Sequence, residues 1–241
     1  MQKNKIQAII IGDEILSGKR EDKHFKKILE LCKCYHYELN QVIYVSDEPE
    51  EISKAIANYT NKTLFCFGGI GATPDDHTRQ SAAIAYQKKL VVHPKALSLI
   101  ENKFGKEAYP KRVLMSYFPE GAEIIPNPIN QIPGFYVGFH FFMPGFPEMA
   151  WPMMEWIFNH KLPKIKSNLD DQSIVIKNIA ESLLIDLMNE IESQFPLVKM
   201  YSLPKITPHR QVEFGVKGDK IQVQKSMSII KKYIKELGYD F

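Results

Sequence analysis

Three glycines within four residues, followed by two adjacent carboxylates, form the part of this sequence best suited to chemistry. The segment runs Gly68-Gly69-Ile70-Gly71-Ala72-Thr73-Pro74-Asp75-Asp76-His77-Thr78. Glycine allows positive φ and a close approach of the backbone to a ligand. The N–H groups of such a loop, and of a helix that begins after it, attract anions. We therefore predict a phosphate site that includes Gly68, Gly69, Gly71 and Thr73, and a plain tight turn with an Asp or Thr helix cap is the alternative.

Two familiar nucleotide-binding loops do not fit these residues. A Walker A loop needs Gly-Lys-Ser or Gly-Lys-Thr, and no such lysine follows these glycines. The dinucleotide-binding pattern, if it began at Gly69, would have Pro74 in place of its third glycine. The sequence therefore indicates a phosphate site of a different kind.

Asp75 and Asp76 suggest a bound cation, because a helix N-terminus that holds phosphate needs no further carboxylates. Mg²⁺ binds one or two carboxylates and completes its shell with phosphate oxygens and water. Asp13 and Glu14 follow the first apolar run and could supply a further metal ligand or a base. The alternatives are a helix cap for Asp75 or Asp76 and a solvated acidic turn for Asp13 and Glu14. We interpret His77 as a surface residue.

Apolar runs and helical stripes alternate along the first two thirds of the sequence. Apolar runs predict buried strands at residues 6–11 and 63–67, and a further strand is predicted at 39–45. A helix is predicted over residues 23–34, with an inward stripe of Phe25, Ile28, Leu29 and Cys32. A second helix is predicted to follow a capping box formed by Asp47 and Glu50. Two more helices are predicted, one that begins near residues 75–78 and one over residues 147–160. A hairpin is predicted between residues 135–137 and 140–143. This alternation is typical of a parallel α/β sheet, whose strand ends would bring Asp13, Glu14 and the glycine loop to one edge.

The sequence after residue 162 predicts a second domain. The polar stretch 163–172 has no periodicity and is interpreted as a linker. Strands are predicted at 173–179, 198–203 and 212–217, and helices at 180–191 and 229–237. We therefore divide the chain into an α/β domain over residues 1–165 and a small α+β domain over residues 172–241.

Composition argues against several classes of protein. Hydrophobic residues make up 44% of the 241 residues, and 31 basic residues nearly balance 28 acidic ones. No basic stripe indicates nucleic-acid binding, and no apolar run is long enough to span a membrane. The apolar run near the amino terminus is too short for a signal peptide, and the three cysteines suggest reduced thiols. We expect a cytoplasmic protein that binds neither nucleic acid nor membrane.

The glycine-rich segment resembles a known family once other segments are added to it. It looks like the signature of the molybdopterin-binding domain of molybdenum-cofactor biosynthesis proteins, and is most similar to the N-terminal part of competence/damage-inducible protein A. The residues after 170 resemble the accessory α+β domain of the same proteins. The supporting matches, in the family's order, are Gly12-Asp13-Glu14-Ile15-Leu16-Ser17-Gly18, Pro119-Glu120-Gly121-Ala122, Asn127-Pro128, Pro133-Gly134-Phe135 and Pro144-Gly145-Phe146-Pro147.

The resemblance implies a three-layer α/β/α fold that binds molybdopterin or a nucleotide at the strand ends. The resemblance implies that Gly69 and Gly71 contact the phosphate of the ligand and that Asp76 acts in metal binding or catalysis. It also implies that Pro144-Gly145 makes a second backbone-amide contact with the ligand. Members of its two branches transfer an adenylyl group to the pterin phosphate or hydrolyse ADP-ribose. Mg²⁺ or another divalent cation would assist either reaction. Asp13 would be a second metal ligand, or else Asp13 or Glu14 would orient the nucleophile. Family members also suggest a homo-oligomer, either a dimer or a trimer.

Three residues depart from the family pattern. Phe67 stands where threonine is common, Ala72 where a proline or larger residue is frequent, and Phe146 where a small residue or proline is usual. The bulk of Phe146 predicts a narrower pocket. Phe67 and Phe146 favour the alternative function, a module that binds pterin or nucleotide without turnover. Because the sequence ends at Phe241, we do not expect the amidohydrolase activity of a C-terminal deamidase domain.

Overall fold

The computed structural model describes residues 4–166, 168–205 and 210–241 of the protein. The chain divides into two compact units, Met1–Ile165 and Lys166–Phe241. The first unit carries the glycine loop and the acidic residues of the predicted site. The second unit has a hydrophobic core of its own.

The first unit is built on a six-stranded sheet with helices on both faces. The strands of the whole unit are β1 (Lys5–Ile11), β2 (Glu38–Val45), β3 (Thr63–Phe67), β4 (Leu90–Val92), β5 (Tyr117–Pro119), β6 (Glu123–Ile125), β7 (Gly134–Val137) and β8 (His140–Met143). Its helices are α1 (Asp13–Leu16), α2 (His24–Tyr35), α3 (Pro49–Ala57), α4 (Thr78–Ala85), α5 (Pro94–Phe104) and α6 (Pro147–His160). The strand order is β2-β1-β3-β8-β7-β6, in which the first four strands are parallel and the last two antiparallel to their neighbours. β4 and β5 form a separate two-stranded sheet.

The core on the two faces of the sheet explains why this unit has three layers. Ile6 and Ile10 of β1 belong to a cluster with residues of α2 and α6, whereas Ile9 and Ile11 belong to a cluster with residues of α3 and α4. Because helices cover both faces, β1 reads in the sequence as a continuous apolar run rather than an alternating one. The predicted α/β fold with a mostly parallel sheet is confirmed.

The predicted inward face of α2 is partly wrong. Phe25 and Leu29 were expected in the core, but they are 44% and 36% exposed. The helix buries His24 and Leu31 instead. The inward face is rotated because the ring of His24 stacks on Phe67 at the end of β3.

The predicted starts of two helices also need correction. Asp47 and Glu50 do not form a capping box, because Glu48 is the N-cap residue of α3 and makes no side-chain cap hydrogen bond. α4 begins at Thr78 after His77, so neither Asp75 nor Asp76 caps it. These carboxylates are directed to other contacts at the edge of the sheet. The helical turn α1 and the longer α5 were not predicted, and neither were β4 and β5, which are too short to show a periodic pattern.

The second unit packs two helices on a three-stranded antiparallel sheet. Its elements are β9 (Leu169–Lys177), α7 (Ile185–Gln194), β10 (Val198–Lys205), β11 (Gln211–Asp219) and α8 (Lys220–Glu236), with the strand order β10-β11-β9. β9 begins at Leu169, so the predicted linker is shorter than expected, and its residue Ser167 lies outside the described ranges. α8 begins nine residues before the predicted start because the side chain of Asp219 accepts hydrogen bonds from the N–H groups of Ile221 and Gln222. Across the described ranges of both units, no helix has the length and apolar character needed to cross a membrane.

Candidate functional site

Loops that follow four parallel strands meet at the carboxyl edge of the six-stranded sheet. Gly12 follows β1, Asp47 lies just after β2, Gly68 follows β3 and Pro144 follows β8. A hydrogen bond of 3.0 Å from the N–H of Gly68 to the carbonyl of Met143 ties the last two loops together. A cavity of about 420 Å³ lies between the loops, which is a volume typical of small-molecule sites. We call it the loop cavity.

The structure brings almost all of the predicted site residues to the wall of this cavity. The exception is Asp13, which lies beside it. The predicted residues that line the loop cavity are Glu14, Gly68, Gly69, Gly71, Thr73, Asp75, Asp76, Pro144 and Gly145.

All three glycines of the loop lack room for a Cβ in this conformation. At Gly69, whose φ is +64°, a Cβ would overlap the hydroxyl oxygen of Thr78. Gly68 has a φ of +104°, and a Cβ there would overlap the carbonyl oxygen of Ile11. A Cβ on Gly71 would overlap the carboxylate of Asp76. The glycines therefore allow the end of β3 to pack against the end of β1 and allow Asp76 to fold back over the loop.

The glycine loop has a run of backbone donors without protein partners. Within the described part of the chain, no acceptor receives a hydrogen bond from the N–H of Gly69, Ile70, Gly71 or Ala72. All four residues line the loop cavity. Successive free N–H groups in a glycine-rich turn form a site for anions.

Thr73 holds Asp76 in a defined position. The backbone N–H of Thr73 donates to Asp76 Oδ2 at 2.9 Å, and the Thr73 hydroxyl donates to the same oxygen. No described residue bonds to Oδ1 of Asp76, which leaves that oxygen available to a ligand. Asp76 therefore closes a turn within the loop and presents one oxygen from a fixed carboxylate.

Asp47 lines the loop cavity although it was not predicted to belong to the site. Its Oδ2 accepts a hydrogen bond of 2.9 Å from the N–H of Asp13, and its own N–H lies 3.4 Å from Asp13 Oδ1. Burial raises the pKa of Asp47, and the carboxylates of Asp13, Glu14 and Asp75 raise it further. Asp13 thus contacts the site through Asp47 rather than through the cavity wall.

The charge of the loop cavity fits a divalent cation. Its wall carries the carboxylates of Glu14, Asp47, Asp75 and Asp76, and Arg20 is the one cationic side chain among its described lining residues. A cation would relieve the repulsion that raises the pKa of Asp47. Within residues 4–166, 168–205 and 210–241, no three His, Cys, Asp or Glu side chains lie close enough together to hold a metal by themselves. Phosphate oxygens and water would therefore have to complete the shell.

A second cavity, of about 340 Å³, adjoins the first. We call it the adjoining cavity, and it shares Glu14, Arg20, Gly145 and Phe146 with the loop cavity. Phe146 is 51% exposed, and the guanidinium of Arg20 lies 5.9 Å from the centre of its ring. These residues form the boundary between the two cavities.

His24 forms part of the wall of the adjoining cavity. The residue is only 4% exposed, and its Nε2 lies 3.1 Å from the carbonyl oxygen of Gly145. Its buried Nδ1 has no partner among the described residues. Burial lowers the pKa of His24 below its ordinary value, which favours the neutral form of the ring.

Comparison with known proteins decides the family. A family model described as "Probable molybdopterin binding domain" matches residues 7–164, which include every residue of both cavities. The chain belongs to the molybdopterin-binding domain family.

Relatives in this family extend over most of the chain. A protein of Caldivirga maquilingensis is 30% identical over 196 residues, covering 76% of this chain and 75% of the relative. A CinA-like protein of Desulforapulum autotrophicum is 28% identical over 213 residues and matches 81% of this chain but 50% of its own length. The chain therefore spans about half the length of that CinA-like relative.

A solved structure of the same family agrees with the fold. The protein CinA of Thermoplasma acidophilum, described as having unknown function, superposes with a TM-score of 0.61 at 25% identity. The match covers 66% of this chain and 98% of that chain. The resemblance to the molybdopterin-binding domain family and to the competence/damage-inducible proteins is thus confirmed.

The departures from the family pattern lie at different places in the structure. Phe67 is fully buried and contributes to the adjoining cavity, where it stacks on His24. Ala72 lines the loop cavity, and Phe146 stands at the boundary. The two aromatic residues therefore shape the adjoining cavity more than the glycine loop.

Sequence reasoning missed three residues of the site. Asp47 could have been found by applying the strand-end rule to β2 as well as to β1 and β3. Asn127 was noted only as part of a family segment, yet it is 5% exposed, lines the loop cavity, and has an Nδ2 without a partner in the described part of the chain. His24 gave no signal, because a histidine beside a helical apolar stripe is indistinguishable from a surface residue in one sequence.

Proposed function

We propose that the first unit binds a phosphorylated pterin or a nucleotide in the loop cavity and, with a divalent cation, acts on a phosphate anhydride. The reaction would be adenylyl transfer to a pterin phosphate or hydrolysis of a pyrophosphate such as ADP-ribose. The observation that carries this proposal is the run of unpaired N–H groups from Gly69 to Ala72 in a cavity whose wall also holds carboxylates. The family to which the chain belongs supports the pterin or nucleotide as ligand.

The residues of the chain would act mainly by positioning. The loop amides from Gly69 to Ala72 hold the anionic group, and Thr73 keeps Asp76 from turning away. Glu14 lines both cavities, so it is placed to orient a nucleophile more directly than Asp13. Fixed geometry of this kind supplies a large part of the rate enhancement in phosphoryl-group chemistry.

Asp76 would hold the cation, and phosphate oxygens and water would complete its shell, because no three carboxylates of the described residues lie close enough together to do so. The charges of Asp47 and Asp75 in the same wall would add to the attraction of the cation. When bound, Mg²⁺ would neutralise developing charge on the phosphate oxygens. Asp13, the other predicted metal ligand, would contribute indirectly because its backbone N–H bonds to Asp47.

The proposal is tested by two assays in the presence of Mg²⁺: release of AMP and ribose 5-phosphate from ADP-ribose, and release of pyrophosphate from ATP as its adenylyl group is transferred to molybdopterin. Asp76→Asn keeps an acceptor for Thr73 but removes the charge, and we expect it to lower the rate by about 100-fold or more. Asp186→Asn is the matched control, because Asp186 is an exposed residue of the second unit. Full activity of Asp76→Asn would show that Asp76 takes no part in the chemistry. If the wild-type chain releases neither AMP from ADP-ribose nor pyrophosphate from ATP with molybdopterin, the proposed reaction is wrong.

The second candidate function is a module that holds the pterin or nucleotide without turnover. The exposed ring of Phe146 at the cavity boundary favours it, since the ring narrows the route between the two cavities. This function predicts micromolar binding by calorimetry, no product over hours, and little change of affinity in Asp76→Asn. The same protein preparations therefore distinguish the two functions.

A further inference from the structure

His24 is held by one stack and one hydrogen bond. Its ring lies 4.4 Å from that of Phe67, with 16° between the two planes. Its Nε2 lies 3.1 Å from the carbonyl oxygen of Gly145, which can only accept, so the proton of the neutral ring is on Nε2. Burial lowers the pKa of His24 and favours the neutral form, although Asp22 and Glu148 act in the opposite direction.

This hydrogen bond fixes the peptide group that joins Gly145 to Phe146. A trans peptide is planar, and its C=O and N–H point in opposite directions. Since the carbonyl of Gly145 is directed at His24, the N–H of Phe146 points away from His24. Among the residues that the structure describes, none accepts a hydrogen bond from this N–H.

The same peptide lies against the glycine loop. A Cβ built on Gly145 would be 3.4 Å from the Cα of Gly68, so the two backbones are close neighbours with room for little more than a methyl group between them. Phe146 lines both cavities, whereas His24 lines only the adjoining one. The side of the peptide opposite His24 is therefore the side on which a ligand of the loop cavity can meet it.

We propose that His24 is a positioning residue, which orients the Gly145–Phe146 peptide so that the Phe146 N–H donates to the phosphate held by the glycine loop. The inference rests on the proposed function, because it needs an anion in the loop cavity. It assigns a second donor to the site, from the segment before α6, and gives the buried imidazole a role in binding.

A role in packing alone makes a different prediction. If His24 only filled space against Phe67, a phenylalanine ring would serve equally well, and the Nε2–H would have no effect on ligand binding. The variants His24→Phe and His24→Gln separate the two roles. The first keeps an aromatic ring and removes the donor, and the second restores a donor that can reach the Gly145 carbonyl.

The test is a titration of the ¹⁵N-labelled full chain with inorganic phosphate, followed through the backbone amide resonances of Ile70, Gly71 and Phe146. In the wild-type protein we expect phosphate to shift all three resonances. In His24→Phe, Ile70 and Gly71 still shift, Phe146 does not, and the affinity for phosphate falls about tenfold. In His24→Gln the Phe146 shift returns, with an affinity within about threefold of the wild type.

The outcomes separate this inference from the proposed function. If neither Ile70 nor Gly71 shifts in the wild-type protein, the proposed function fails and the inference fails with it. If both shift but Phe146 does not, or if Phe146 shifts equally in His24→Phe, only the inference is overturned. If His24→Phe does not fold, the wild-type titration still tests the Phe146 donor, and the absence of a Phe146 shift in a folded His24→Gln would overturn the role of His24.

Discussion

Two buried histidines lie at opposite edges of the six-stranded sheet, and they differ in how completely their rings are bonded. His140 begins β8 at the amino edge and is 6% exposed. Its Nδ1 lies 2.7 Å from the hydroxyl of Tyr86, and its Nε2 lies 3.1 Å from the carbonyl of Tyr59. His24, beside the loops of the carboxyl edge, is as deeply buried but has a described partner only at Nε2.

The comparison separates a histidine whose two ring nitrogens both have partners from one that lies beside further polar groups without described partners. Burial lowers the pKa of both histidines, so burial alone does not distinguish them. Buried polar groups normally have hydrogen-bond partners, and His140 follows that rule. At the carboxyl edge Nδ1 of His24, Nδ2 of Asn127 and the glycine-loop N–H groups each lack a described partner. Open α/β sheets bind their ligands at this edge.

The largest expected effect on ligand affinity comes from replacing a glycine by alanine at the carboxyl edge, and the same replacement at the amino edge is its control. Gly71→Ala would force a Cβ into the Asp76 carboxylate, and displacement of the loop should lower the affinity for ADP-ribose about 100-fold. Gly138→Ala, at the amino edge, has open space around the added Cβ and a φ of +60°. It should cost about 1 kcal/mol of stability and leave affinity unchanged. Calorimetry and thermal unfolding of both variants check the prediction, and equal loss of affinity would break the comparison.

The second prediction concerns the fully bonded histidine. His140→Phe would leave the Tyr86 hydroxyl without a partner and the Tyr59 carbonyl with only the N–H of Lys62, and it should destabilise the protein by about 2 kcal/mol. Because His140 is far from the carboxyl edge, the affinity for phosphate should equal that of the wild type. Chemical denaturation and phosphate titration measure the two quantities. If His140→Phe loses affinity for phosphate but keeps its stability, the amino edge contributes to ligand binding and the comparison is wrong.

The third prediction concerns pH. Both histidines have a folded-state pKa below the ordinary value of 6.5, so the unfolded chain takes up protons first as the pH falls below about 6.5. Stability should therefore decrease from about pH 7 to about pH 5. The double variant His24→Phe/His140→Phe should lose stability less steeply over the same range. Unfolding midpoints at several pH values test this, and an unchanged slope would mean that other groups govern the acid sensitivity.

The smallest expected effect is a change of stability caused by Asp47 at the carboxyl edge. The raised pKa of Asp47 means that its ionised form weakens the fold as the pH rises above the ordinary value of 3.8. Asp47→Asn should raise the unfolding midpoint at neutral pH by about 2 °C. It should also reduce the further stabilisation that Mg²⁺ gives. A lower midpoint in the absence of metal would show that the carboxylate is not repelled as described.

The sequence was most informative where the pattern is local. β3 and α6 have the predicted bounds, and the β7–β8 hairpin is present, because apolar runs, glycine turns and helical stripes are set by neighbouring residues. The start of α8 was predicted nine residues late, because Asp219 caps a first turn that carries little apolar signal. The face of α2 was misjudged because a contact with Phe67, distant in sequence, decides it.

The residues of the candidate site also divide into those that a local pattern predicts and those that depend on distant contacts. The glycine loop could be predicted because it combines strand, turn and helix in one segment, and Asp76 follows within it. His24 could not be predicted from its own segment, because its role depends on Gly145 in another loop. The strand-end rule applied to β2 could have placed Asp47 at this edge, but not its hydrogen bond with Asp13. Long-range contacts of this kind leave no periodic trace in a single sequence.

The central claim is that the backbone amides from Gly69 to Ala72 hold the anionic group of a ligand. A crystal structure of the wild-type chain with millimolar ADP-ribose and magnesium tests it most directly. We expect phosphate oxygens, from the ligand or its products, at about 3 Å from the nitrogens of Ile70 and Gly71, with Asp76 facing the cation. A phosphate group bound elsewhere, with the glycine loop closed by its own side chains, would contradict the account.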